Sequence, residues 1–143
     1  MRALTTQPMH LETTAMPGCG ASVRLVGIVR PDRVGDRTVR SLEYHAYAQM
    51  AERQIAQWVD EARQRWQLEA VHVQHRVGVV AVGEVSVVVE VFAQHRQEAF
   101  VASQSLIEQI KHELPIWKQE RYDDGTVEWV HCTSQESQTH AHV

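Results

Sequence analysis

A chain of 143 residues, 43% apolar and 22% charged, has the make-up of one globular domain with a core of its own. A formal net charge of −4 argues against a nucleic-acid partner, because binding a phosphate backbone calls for a basic face. No apolar run approaches the roughly 18 residues of a membrane span, so no membrane association is expected.

Residues 1–19 mix Thr, Pro, Met and Gly without sustained periodicity and read as a flexible leader. They lack the basic start, apolar centre and small-residue cleavage site of a secretory signal, so the expected location is the cytoplasm. A strand is predicted over Ser22–Val29, where Val23, Leu25 and Val29 alternate with Arg24 and Ile28. Pro31, Gly35 and Asp36 mark a charged loop over Arg30–Arg37, and a second strand follows over Val39–Tyr44. Tyr47, Ala51, Ile55, Trp58, Ala62 and Trp66 then recur at steps of three and four, which predicts a helix.

Val71–Val82 reads as a strand with a bulge at Gly78. Gly83-Glu84 turns the chain into Val85–Ala93, a nearly continuous apolar run of the kind a central strand carries. A second helix is predicted from Arg96 to Leu114, with Ala99, Phe100, Leu106, Ile107, Ile110 and Leu114 as its apolar stripe and Pro115 as its stop. Ile116–Glu120 and Val127–His131, joined by Asp123-Asp124-Gly125, complete the pattern. The order β-β-α-β-β-α-β-β, hairpin-linked with two helices on one face, predicts an α+β sandwich of ferredoxin-like type. Residues 20–132 form the single domain of this reading, and the polar stretch 133–143 a flexible tail.

Twelve of the fourteen basic residues are arginine, leaving Lys111 and Lys118 as the lysines. A lysine pKa falls readily on burial whereas arginine stays charged, so lysine alone of the two can act as base or nucleophile. Two ordinary surface lysines are the competing reading. Lys118 follows Pro115 and Trp117, which would fix its direction, and Lys111 falls on the border of the helical stripe, where it could also snorkel along the core. Arg30 enters a loop in a position to meet a phosphate, or else water. His95-Arg96 stands at a strand-to-helix junction, where open backbone N–H groups and the helix dipole favour anions; polar residues facing solvent are the alternative. His72, His75, His112 and His131 show no metal-ligand spacing, and His75-Arg76 reads as a buried hydrogen-bonded pair. Cys19 and Cys132 form no CxxC and are expected as free thiols. Neither a metal nor a cofactor is expected.

Several runs resemble the catalytic (large) subunits of molybdopterin synthase, the MoaE family. They are Gly27-Ile28-Val29-Arg30, Leu42-Glu43-Tyr44-His45-Ala46-Tyr47 with Met50-Ala51, His75-Arg76-Val77-Gly78, Gly83-Glu84, His95-Arg96 with Ala99-Phe100, Leu114 to Glu120, and Asp124-Gly125 before Trp129-Val130. The match keeps family order from residue 20 to residue 131. The resemblance implies an α/β hammerhead type of fold with an additional small β-subdomain. It implies sulfur transfer to cyclic pyranopterin monophosphate, giving the molybdopterin dithiolene in molybdenum cofactor biosynthesis. The implied donor is the thiocarboxylated Gly-Gly terminus of a small ubiquitin-like carrier, and the implied assembly a homodimer within a heterotetramer. By position, the resemblance assigns the pocket to Arg30, His95, Arg96, Lys111, Lys118, Gln119 and Glu120, with Lys118 and Lys111 catalytic. Leu25 and His45 depart from the aromatic residue and the glutamate frequent in the family. A non-catalytic pterin- or carrier-binding module of the same fold is the alternative reading.

Overall fold

A computed structural model describes residues 2–11 and 16–130. The elements run β1 (Leu4–Thr5), β2 (Ala21–Ile28), β3 (Arg33–Val34), β4 (Arg37–Ala46), α1 (Ala48–Trp66), β5 (Ala70–Arg76), β6 (Gly78–Ala81), β7 (Val85–Ala93), α2 (Arg96–Glu113), β8 (Ile116–Tyr122) and β9 (Val127–Val130). The predicted strands and helices all recur, and the architecture is α+β. The expected tail 133–143, together with His131 and Cys132, lies outside the described residues.

One sheet has the order β1-β5-β7-β2, and both helices pack on one of its faces. The run β5-β7-β2 is antiparallel throughout. β7 lies centrally: Val87, Val89, Val91 and Ala93 point into the core with Ala51, Ile55, Trp58, Leu106 and Ile110 of the helices. Each such fully buried aliphatic side chain contributes about 1.5–3 kcal/mol relative to exposure. The second sheet has the order β3-β4-β8-β9, with β6 paired to the other side of β4. It closes a smaller core of Val29, Val39, Leu42, Tyr44, Val80 and Tyr122, in line with the small β-subdomain that the resemblance implies.

Four local expectations need correction. The leader contains a strand: β1 runs parallel to the end of β5, and Glu52 of α1 accepts the N–H groups of Ala3 and Leu4 at 2.9 and 2.8 Å. A two-residue strand is too short to show periodicity. The bulge expected at Gly78 is a break: with φ at +83°, the chain leaves β5 in the first sheet and enters β6 in the second. Phe100, assigned to the buried stripe of the second helix, is 61% exposed, and Ala102 and Ser103 are buried on that helix instead. Tyr47, at the head of the first helical stripe, is 65% exposed.

Candidate functional site

Strand alternation and helix end-points bring the two lysines to one place. Along β8 the buried side chains are Ile116, Lys118, Glu120 and Tyr122, every second residue, as a strand with one covered face requires. Lys118 is therefore turned inward and is only 4% exposed. It lies directly across from Tyr44 of β4, whose ring meets the His75 ring edge-on at 5.0 Å. Lys111 enters from the last turn of α2, half-buried.

His75 feels both amines. Its pKa is lowered from 6.5 to about 4, first by burial and then by the charges of Lys111 and Lys118, against the opposing effect of a hydrogen bond to the Arg76 carbonyl. Both His75 and Arg76 are buried, as the sequence suggested, and Nδ1 of His75 lies 2.7 Å from the carbonyl oxygen of Arg76. The Arg76 side chain leaves on the other face of the sheet, donating to the Val79 carbonyl at 3.1 Å with Glu84 at 3.8 Å.

The remaining candidates divide between the two ends of the first sheet. Arg30 follows β2 beside the Gly83-Glu84 turn, where Val29 N–H donates to the Glu84 carbonyl at 3.1 Å. This is the end of β7 that carries Val87, the register partner of His75, so Arg30 shares the lysine end. It pairs with Asp32 at 3.2 Å and stays 46% exposed. Glu120 is fully buried on the inward face of β8. Gln119 points to the opposite face, in register with Glu43 and Trp129.

His95 and Arg96 occupy the far end. His95 is the N-cap of α2 in extended conformation without a side-chain cap bond, and both residues are exposed. Fifteen residues of helix separate Arg96 from Lys111, which at 1.5 Å per residue is about 22 Å. A protomer therefore gathers Lys111, Lys118 and Arg30 at one end and holds His95-Arg96 at the other.

A family model described as MoaE protein matches residues 3–113. The chain belongs to the MoaE protein family. The molybdopterin synthase catalytic subunit of Staphylococcus carnosus is 37% identical over 131 residues, 89% of this chain and 86% of that one. That of Thermoplasma volcanium is 42% identical over 113 residues, 79% and 82% of the respective chains. Among solved structures, molybdopterin synthase from Staphylococcus aureus matches with a TM-score of 0.83 at 32% identity, covering 91% of this chain and 96% of that one. The fold is shared as well with a complex of subunits 1 and 2 of the molybdopterin-converting factor from Helicobacter pylori, at a TM-score of 0.66 and 22% identity over 83% and 75% of the chains.

In this MoaE chain several clefts lie away from the lysines. One of about 410 Å³ is lined by Arg24, His72 and Glu90 together with Ile55 and Val73. One of about 850 Å³ is bounded by the first strand and the start of α1. Among the described residues no group of three His, Cys, Asp or Glu side chains could hold a metal ion, and no helix is long and apolar enough to cross a membrane. Sequence reasoning gave no site role to Tyr44 and His75, which join the lysines. The strand periodicity and the Gly78 break were the available signals, but the pairing of β4 with β8 is what brings them together.

Proposed function

We propose that this chain is a molybdopterin synthase catalytic subunit, converting cyclic pyranopterin monophosphate to the dithiolene with sulfur from a carrier's C-terminal thiocarboxylate. The observation that carries this reading is the convergence of Lys111 and Lys118, the chain's only lysines, from α2 and β8 onto one buried histidine. A lysine amine, unlike a guanidinium, can give and take a proton, which suits acid–base work at such a place. Lys118 acts in proton transfer during sulfur addition, and Lys111 polarises the thiocarboxylate carbonyl. Arg30 meets the substrate phosphate from the same end, and Glu120 sets the field beside Lys118. Gln119, on the reverse face, acts through the strand.

Helix length requires His95 and Arg96 to reach this pocket from a second copy. Antiparallel contact of two α2 helices about a two-fold axis near Ser103 and Gln104 sets Arg96 of one copy level with Lys111 of the other. Arg96, Phe100 and Lys111 fall within about 60° around the helix, so they share one face. Phe100, 61% exposed in the protomer, is covered by that contact. The partner's uncapped α2 N-terminus then adds His95, Arg96 and open N–H groups to the phosphate site. The small carrier subunit docks so that its Gly-Gly terminus reaches the lysines, completing a heterotetramer.

Single-turnover conversion with thiocarboxylated carrier tests the assignment. Lys111→Ala and Lys118→Ala are expected to lose most of the rate, and Lys118→Arg to fail as well, because charge survives but proton transfer does not. Full activity in both alanine variants overturns the catalytic reading and leaves a binding module.

A further inference from the structure

Arg76 is the one buried arginine among the described residues, with 6% of its side chain exposed. Its Nη2 donates to the Val79 carbonyl at 3.1 Å, while Nε and Nη1, both shut off from water, make no hydrogen bond among the described residues. Glu84 supplies a carboxylate oxygen 3.8 Å from Nη1. A guanidinium keeps its charge on burial, so losing that carboxylate would leave the charge uncompensated in the interior. Glu84 also closes the turn after β6: its Oε1 accepts the Ala81 N–H at 2.8 Å, and its own N–H donates to the Ala81 carbonyl at 3.0 Å. That turn grips Val29, which is 1% exposed. The Val29 N–H donates to the Glu84 carbonyl at 3.1 Å, and the Val29 carbonyl accepts the Gly83 N–H at 2.9 Å. Arg30 is the next residue, with its side chain 46% exposed and paired to Asp32 at 3.2 Å. The point from which Arg30 leaves the sheet is thus set by the turn.

We propose that Arg76 and Glu84 are a positioning pair: the buried guanidinium anchors the Glu84 carboxylate, and the turn so fixed holds Val29 by both backbone groups and aims Arg30. The consequence for substrate binding rests on Arg30 meeting the substrate phosphate. The clamp itself is a property of the protein alone.

Glu84 is 40% exposed, so substitutions there disturb little of the core. Glu84→Gln keeps an acceptor for the Ala81 N–H and gives up the charge that faces Arg76. Amide hydrogen exchange of the full chain reads the clamp without any ligand. Val29 and Gly83 are expected to exchange about tenfold faster in Glu84→Gln, with the amides between β5 and β7 unchanged. Unchanged Val29 exchange in that variant overturns the pair, since the bond to Ala81 then closes the turn by itself. Faster exchange throughout the first sheet overturns it too, as general destabilisation. The second readout is single-turnover sulfur transfer against the concentration of cyclic pyranopterin monophosphate. Glu84→Gln is expected to raise the half-saturating concentration about fivefold while the limiting rate stays within about twofold, and the rise should vanish where Arg30 is already alanine, because both changes act through one group. A rise of equal size in the Arg30→Ala background refutes the positioning role. So does no rise at all when Arg30→Ala alone weakens saturation. If Val29 is loosened but Arg30→Ala saturates as the unsubstituted protein does, the clamp stands and the phosphate role of Arg30 fails.

Discussion

Mixing two inactive variants tests whether each pocket is shared between copies. Arg96→Ala removes a group at the start of α2, and Lys118→Ala removes one on β8, beyond the other end of that helix, whose Arg96–Lys111 run is about 22 Å long. If every pocket takes Lys118 from one copy and Arg96 from the other, each variant homodimer has two damaged pockets. A heterodimer of the two has one pocket with both lesions and one with neither. Random reassembly makes about half of all dimers mixed, each with one intact pocket of two, so about a quarter of the wild-type single-turnover amplitude returns. The assay is co-refolding or co-expression of differently tagged variants at equal amounts, followed by conversion with saturating thiocarboxylated carrier. Purifying the doubly tagged species should raise the amplitude to about half. If the variants are separately inactive and the purified mixed dimer remains inactive, the shared-pocket geometry is wrong. A mixture no better than its components, with mixed dimers demonstrated by the tags, refutes that geometry equally.

Further expectations concern the scaffold. Burial holds the His75 pKa down at about 4 against an ordinary 6.5, so in acid the unfolded chain takes up a proton that the folded one refuses. The stability tied to this group is present above pH 6.5 and is lost as pH falls through 4, a change on the order of 3 kcal/mol. Urea melts between pH 7 and 4 should show the loss, and His75→Gln should flatten it; equal slopes in both proteins contradict the buried neutral ring. Gly20 precedes β2 where its N–H donates to the Ala93 carbonyl at 3.1 Å, and a Cβ there would run into the Gln94 carbonyl. Gly20→Ala should therefore cost about 1–3 kcal/mol in a denaturant melt, and an unchanged midpoint would mean that the backbone yields there freely.

Much of the fold was readable because its signals are local. The run Val85–Ala93 is apolar apart from Ser86 and Glu90, as suits a central strand, and the structure buries all but its first residue. Ala51, Ile55, Trp58 and Ala62 of α1 are buried at the helical spacing that predicted them. The Phe100 assignment failed for a physical reason: periodicity reports that a residue is apolar, not which surface it meets. Gln119 and its neighbour Lys118 face opposite ways, a difference fixed by strand phase.

The sequence by itself determined the order and kind of the longer elements, the family, and the presence of two lysines in a chain otherwise served by arginine, but not β1, β3 or the division of β5 from β6. Only the tertiary structure decided which of those charges can meet. The β4–β8 pairing brings Tyr44 to Lys118 and thereby His75 to both lysines, and the straight run of α2 keeps Arg96 from joining them within one copy. Local propensity encodes where strands and helices form, whereas the distance between remote side chains depends on sheet order and helix length acting together.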